Sequence, residues 1–292
     1  MKILENAFSS LFLTSILTIF SSPVFSEPKT LVFSAIPDQN QSQLINRFSK
    51  VAQYLSEELG VPVNYVPVKS YAAAITAFRN NQVQLAWFGG LSGVRARLLV
   101  PGSEAIAQGV EDTHFKSYFI AHHSTGLKAS DEFPAGIADL TFTFGSKGST
   151  SGRLMPAYYI HEHLSKPPNQ ALSRVGFSGN HSRTIALVQT GAYQVGATNY
   201  KVWESELKAG KIDLSKVSVI WETPSYPDYQ WTIRGDVDSD WGAGFKDRVK
   251  QVLLNMKSAE LLEAFPRSGF VSAENRDYEP ILDIAREIGL ID

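Results

Sequence analysis

Thr143-Phe144-Gly145-Ser146-Lys147-Gly148-Ser149-Thr150-Ser151-Gly152-Arg153 is the stretch on which the reading of this chain turns. Apolar and hydroxyl residues run to Phe144 as the end of a strand. Glycines then turn the chain, and three hydroxyl residues open a helix predicted over Ser151 to Leu164. The first N–H groups of such a helix have no intrahelical partner, and the helix dipole favours negative charge there. The hydroxyls of Ser149, Thr150 and Ser151 can add donors at the same spot, so an oxyanion can be held without a cationic side chain. The competing reading is plain capping by Ser or Thr. On these residues alone both stay open.

Working outward, the same strand–turn–helix unit recurs. Upstream, strands are predicted at Thr30–Pro37, Val61–Val68 and Val83–Phe88, with helices at Gln41–Leu59, Tyr71–Asn80 and Leu91–Leu99. Ala105–Gln108 and Ser117–His122 read as strands that carry the chain out of this unit. Around the quoted stretch come strands at Thr141–Phe144, Ser173–Phe177 and Gln194–Thr198, and helices at Ser182–Thr190 and Tyr200–Ala209. Strands at Val217–Trp221 and Trp231–Ile233 lead back, and helices over Trp241–Met256, Ala259–Phe265 and Tyr278–Ile288 close the chain. Strands alternating with helices imply α/β architecture with parallel sheets covered on both faces. The unit occurs twice without a flexible linker, which predicts two lobes joined by crossing strands.

Other strand ends carry candidate site residues. Phe177-Ser178-Gly179-Asn180-His181-Ser182 again leads through glycine into a helix, with His181 able to donate from one ring nitrogen; a surface histidine at a cap is the alternative. Trp87-Phe88-Gly89-Gly90-Leu91-Ser92-Gly93 offers Ser92 as a donor beside close-approach glycines, while Trp87 and Phe88 suit a core equally well. Tyr71 opens a helix after Lys69-Ser70. Ligands bind at strand C-termini in open α/β sheets, so these junctions predict loop sets facing one cleft. Enzyme signals are weaker. The centre of Gly148–Gly152 is Thr150 rather than a nucleophilic Ser. His122 and His123 point to opposite faces of a strand, and His161 and His163 diverge on a helix. No metal set, phosphate loop or dinucleotide fingerprint is read, and no cofactor is expected.

The start of the chain decides the compartment. Lys2, the apolar run Leu11–Phe20, Pro23 and the small residues up to Ser26 form the layout of a secretory signal over 1–26. With 43% hydrophobic and 19% charged residues the rest is ordinary globular sequence, and the net charge of −2 supplies no basic field for nucleic acid. The cysteine count of zero removes disulfides, thiolate metal sites, cysteine nucleophiles and a lipidated anchor. A periplasm is the expected home.

Several stretches together carry a family likeness: Ser34-Ala35-Ile36-Pro37-Asp38, Leu85–Gly90, Phe142–Gly145 through Ser149–Pro156, Phe177–His181, and more weakly Val195–Tyr200 and Thr223–Tyr226. In these the chain resembles the periplasmic substrate-binding proteins of the phosphate/phosphite/phosphonate family of ABC importers, and most of all a branch assigned to selenate. The resemblance implies a type II periplasmic-binding-protein fold, with 27–116 plus 225–292 as one lobe, 117–224 as the other, and the ligand cleft between them. It implies a monomer that binds a small tetrahedral oxyanion for an inner-membrane ABC permease and has no catalytic residues. A periplasmic hydrolase or an exported sensor module is the alternative. It implies ligand contacts from Tyr71, Ser149, Thr150, Ser151 and His181, with Asn199 at a further family position; the strand-end junction adds Trp87 and Ser92 to the expected ligand-binding set.

The chain departs from the family pattern in three places. Asn199 stands where an Asp is usual, Gly93 near a usual Tyr, and Gly179-Asn180-His181-Ser182 in place of Gly-Ser-His-Asp. An Asp in a dry anion site must take a proton from its ligand or repel it. A neutral Asn199 therefore predicts tolerance of oxyanions without an acidic proton, such as selenate.

Overall fold

The computed structural model describes residues 29–292; the expected signal segment 1–26 lies outside the described residues. Strands are β1 (Leu31–Ala35), β2 (Val63–Tyr65), β3 (Leu85–Phe88), β4 (Glu104–Gly109), β5 (Ser117–His122), β6 (Thr141–Phe144), β7 (Arg174–Phe177), β8 (Val195–Asn199), β9 (Val217–Glu222), β10 (Gln230–Ile233) and β11 (Phe270–Ser272). Helices are α1 (Gln41–Leu59), α2 (Tyr71–Arg79), α3 (Gly90–Leu99), α4 (Met155–Leu164), α5 (Pro168–Ala171), α6 (His181–Gln189), α7 (Tyr200–Lys208), α8 (Val237–Trp241), α9 (Phe245–Leu254), α10 (Ala259–Leu262) and α11 (Glu279–Glu287).

Local chemistry explains the main boundaries. The longest helix, α1, buries Leu44, Phe48, Val51, Leu55 and Leu59 on one face and stops at Gly60, whose φ of 68° is left-handed. The helix predicted over Trp241–Met256 is two helices, because Gly242 and Gly244 adopt φ of 97° and 80° between them.

Two sheets form the two lobes of the fold. The first has the order β11-β4-β10-β3-β1-β2, the second β7-β6-β8-β5-β9. Neither is wholly parallel, as alternation alone predicts. β1 runs parallel to β2 and β3, but β10 lies antiparallel between β3 and β4, and β11 antiparallel to β4. In the second sheet β6 is parallel to β7 and β8, while β5 is antiparallel to β8 and β9. The reason is connectivity: β5 carries the chain into the second lobe, and β10 re-enters the first sheet in the opposite direction. Two segments cross between the sheets, joined by mutual backbone bonds between Phe115 and Tyr226 and by Thr223 N–H donating to the Ser117 carbonyl.

One apolar core sits under the first sheet and includes Phe33, Phe48, Trp87, Trp231 and Phe265. The second lobe divides into a core around Phe119, Phe142 and Trp221 and another around Ile185, Val188 and Trp203.

Behind the cleft lies a buried ion pair. Arg267 grips Asp112 with two bonds, Nε to Oδ2 at 2.7 Å and an Nη to Oδ1 at 2.8 Å, both side chains 2% exposed or less. Its guanidinium also stacks on Phe115 and Tyr229. Asp112 in turn holds the returning segment: its carbonyl accepts from Asp228 N–H and its carboxylate from Tyr229 N–H.

Candidate anion-binding site

The quoted stretch folds as a wide turn of π-helix over Thr150–Leu154, continued by α4. Leu154 N–H donates to the Ser149 carbonyl at 3.0 Å, five residues back, which marks the π geometry. The Ser149 hydroxyl caps the turn by accepting from Gly152 N–H at 2.9 Å. The Thr150 hydroxyl accepts from Leu91 N–H at 3.0 Å, a bond from the first lobe to the second. The Ser151 carbonyl accepts from the Ser117 hydroxyl at 2.7 Å, which pins the backbone while the Ser151 hydroxyl stays unpartnered and buried. The capping reading and the anion reading of this stretch thus divide by residue: Ser149 caps, and Ser151 is free to donate.

Three more buried polar atoms against the same loop lack a protein partner. The Tyr71 hydroxyl lies near Ser149 and Tyr229 without bonding either. Tyr71 packs so closely on Gly148 that a β-carbon there would stand 3.0 Å from its own. His181 packs on Gly152, with Cε1 3.0 Å from where a β-carbon would sit, and its Nε2 is unpartnered. Its Nδ1 accepts from Asn199 N–H at 3.1 Å, which fixes the tautomer with hydrogen on Nε2. Burial lowers its pKa to about 3, so the imidazole is a neutral donor. With its acceptor nitrogen occupied and its basicity suppressed, His181 is a poor general base for any nearby serine.

The fourth atom is Oδ2 of Asp228. Its Oδ1 accepts from Gly90 N–H at 2.8 Å, and the Thr150 hydroxyl sits beside it. Burial raises the Asp228 pKa to about 7 against the lowering influence of Thr150 and Gly90. Leaving four such atoms unbonded costs about 1–3 kcal/mol each. Three donors and one buried carboxyl oxygen thus gather unpartnered about the same loop.

The remaining predicted residues are used otherwise. Trp87 belongs to the aromatic core, in contact with Tyr229, Trp231, Phe265 and Phe270. The Ser92 hydroxyl donates to the Gly89 carbonyl inside α3. Asn199 caps α7, its side-chain oxygen accepting from Lys201 and Val202 N–H, and its amide donates to the Tyr229 hydroxyl at 2.9 Å. Tyr229 passes that bond on to Asp38 Oδ2 at 2.9 Å, and the Asp38 carbonyl accepts from His181 N–H at 3.0 Å. Asn199 thus belongs to a chain of bonds that closes the cleft. The space near Gly93, where the family often has a Tyr, is taken by the Gln230 side chain.

Asp228 and Tyr229 are the residues that sequence reasoning missed. Their one signal is Tyr226-Pro227-Asp228-Tyr229, a Pro-Asp turn entering a strand.

The chain is similar to known proteins in both sequence and fold. Residues 33–278 match the family described as ABC transporter, phosphonate, periplasmic substrate-binding protein. The probable ABC transporter phosphite binding protein PhnD1 of Prochlorococcus marinus is 42% identical over 281 residues, covering 94% of this chain and 95% of that one. The structure of PhnD1 from the same organism in complex with methylphosphonate superposes with a TM-score of 0.85 at 41% identity, over 91% of this chain and 100% of that one. A Pseudomonas aeruginosa binding component of an ABC phosphonate transporter shares the fold, with a TM-score of 0.78 at 22% identity over 90% of this chain and 87% of that one.

Proposed function

This chain belongs to the periplasmic substrate-binding proteins of phosphonate ABC transporters, and we propose that its ligand is phosphite or a small phosphonate held with one proton shared with Asp228. The family is a transport component that delivers its ligand to an ABC permease, not an enzyme. The observation that carries the ligand reading is the Asp228 carboxyl: buried, with one oxygen unpartnered and a pKa of about 7. Facing a fully ionised anion, an ionised carboxylate here would repel it, so the complex needs one proton between them. Phosphorus oxyacids with a second ionisation near neutrality can supply or share that proton. Selenate and sulfate cannot, and must bind against a protonated Asp228. The relatives support the same class, one being a probable phosphite binder and one holding methylphosphonate. The tolerance that Asn199 suggested is met by Asp228: the acid the pattern lacks at one position stands at another.

The hydroxyls of Tyr71 and Ser151 and the Nε2–H of His181 donate to the ligand oxygens in this reading. Ser149 and Thr150 shape the turn, and Asn199 acts through Tyr229. Calorimetric titration of the mature chain with phosphite, methylphosphonate, phosphate, selenate and sulfate from pH 5.5 to 8.5 tests it. Phosphite or methylphosphonate should bind tightest; selenate binding tightest would overturn the assignment.

A further inference from the structure

Beside the buried site, one cavity gathers cations from both lobes. About 360 Å3 of space lies where Ser70 and Arg95 of the first lobe face Gly145, Lys147 and Gly148 of the second. It sits on the seam between the lobes, because the close contact of Gly148 with Tyr71 is that seam, and Tyr71 and Ser149 border the anion site itself. No carboxylate lines it among the described residues. Phe177, 41% exposed, forms part of the wall. Lys147 Nζ lies 5.2 Å from the Phe177 ring centre, and the Arg153 guanidinium 5.6 Å from it and 4.6 Å from that of Phe144. One Nη of Arg153 is buried without a partner.

Among the described residues none of Arg95, Lys147 and Arg153 forms an ion pair. Arg95 bonds only the Leu290 carbonyl, at 2.7 Å. Burial and then the Arg95 charge lower the Arg153 pKa. Glu287, which lines the adjacent groove with Arg153, pairs with neither arginine. In the groove lined by Arg47 and Lys201 most cations are engaged and carboxylates stand among them: Arg47 bonds Gln39, Lys50 pairs with Glu260 and Lys201 with Glu204, while Lys208 forms no ion pair among the described residues. Unbalanced like charges beside a cleft raise the local concentration of anions and speed their capture. That matters for a chain whose own net charge is −2.

We propose that this cavity is a second, transient anion site, a vestibule in which Lys147 and Arg95 capture the oxyanion before the lobes close and pass it to the Ser149–Ser151 turn. The proposal rests on the oxyanion reading above. Lys147 is exposed and outside the buried donor set, so its replacement leaves the fold intact.

Stopped-flow fluorescence on the mature chain tests it, using as probe the oxyanion that binds tightest in the ligand panel. Lys147→Glu and Arg95→Gln are compared with Lys211→Glu, a charge reversal of equal size at an exposed position outside the cavity. At low ionic strength Lys147→Glu should slow association about tenfold and flatten its salt dependence, with dissociation unchanged. Arg95→Gln should do the same to a smaller degree. Association rates and salt dependence equal to those of Lys211→Glu would overturn the vestibule. The panel separately decides which anion is the ligand, so the two readings fail independently.

Discussion

Replacing Asp228 with Asn removes the shared proton while keeping the shape. An amide oxygen can still accept from Gly90 N–H. In the unliganded protein the buried carboxyl has a pKa of about 7 against an ordinary 3.8. The folded state therefore holds a proton that the unfolded chain has already lost between those two values. Stability falls as pH rises from about 3.8 to about 7 and is level above. That interval converts to on the order of 4 kcal/mol of destabilisation at pH 8, all of it absent from the amide. Thermal melts without ligand should thus show Asp228→Asn more stable than wild type at pH 8, with the advantage shrinking toward pH 4. In titrations the same variant should lose about 10- to 100-fold in affinity for phosphite, the worth of one charge-assisted bond, and hold or gain affinity for selenate. An unchanged ratio of phosphite to selenate affinity, with no pH-dependent gain in melting temperature, would refute the role given to this carboxyl.

Ser151→Ala should weaken phosphite binding by about 1–3 kcal/mol, since its backbone stays pinned by Ser117; an unchanged calorimetric affinity contradicts a donor role. His181→Ala should weaken binding about tenfold or more. The ratio of wild-type to variant affinity should be flat from pH 5 to 8, because the imidazole is neutral throughout; a ratio that climbs below pH 6.5 would show a charged ring instead. Arg267→Met leaves Asp112 buried and uncompensated, and should cost about 3–5 kcal/mol in urea denaturation; a loss below about 1 kcal/mol would mean the pair is dispensable.

What the sequence reveals here is what local pattern controls. The apolar face of Gln41–Leu59 and the short apolar run within Ser117–His122 give their elements to the residue. Strand–turn–helix junctions point to Tyr71, Ser149–Ser151 and His181 as candidates, because a helix start exposes its donors whatever the rest of the chain does. The same pattern cannot show that Ser149 spends its hydroxyl on Gly152, or that the turn widens to π geometry. Strand β11 is three residues long and exists only because β4 offers an edge. Asp228 is the clearest case. Its pKa and its partner Gly90 arise from contacts 138 residues apart, and nothing within Tyr226–Tyr229 encodes that burial. Asn199 is only half legible for the same reason: its neighbours in sequence make it a cap, and only the fold ties it to Tyr229.

The Asp112–Arg267 pair sorts the binding groups by lobe. Asp112 bonds Asp228 and Tyr229 directly, so the acidic group of the site is anchored to the first sheet, and on the two-lobe reading a pivot would lie beyond it, toward Ser117 and Thr223. The second lobe then carries only neutral donors, Ser151 and His181. An anion that lands there meets no negative charge until the lobes shut. If closure follows the proposed reading, it would bring the carboxyl up last, as an inspection of the proton count of whatever has been picked up. On the proposed reading, an anion without a proton to share needs Asp228 itself protonated, so its shut form would become costlier as pH rises past about 7. Selection among similar anions would thus be exercised in the equilibrium between open and shut, as much as in the first contact.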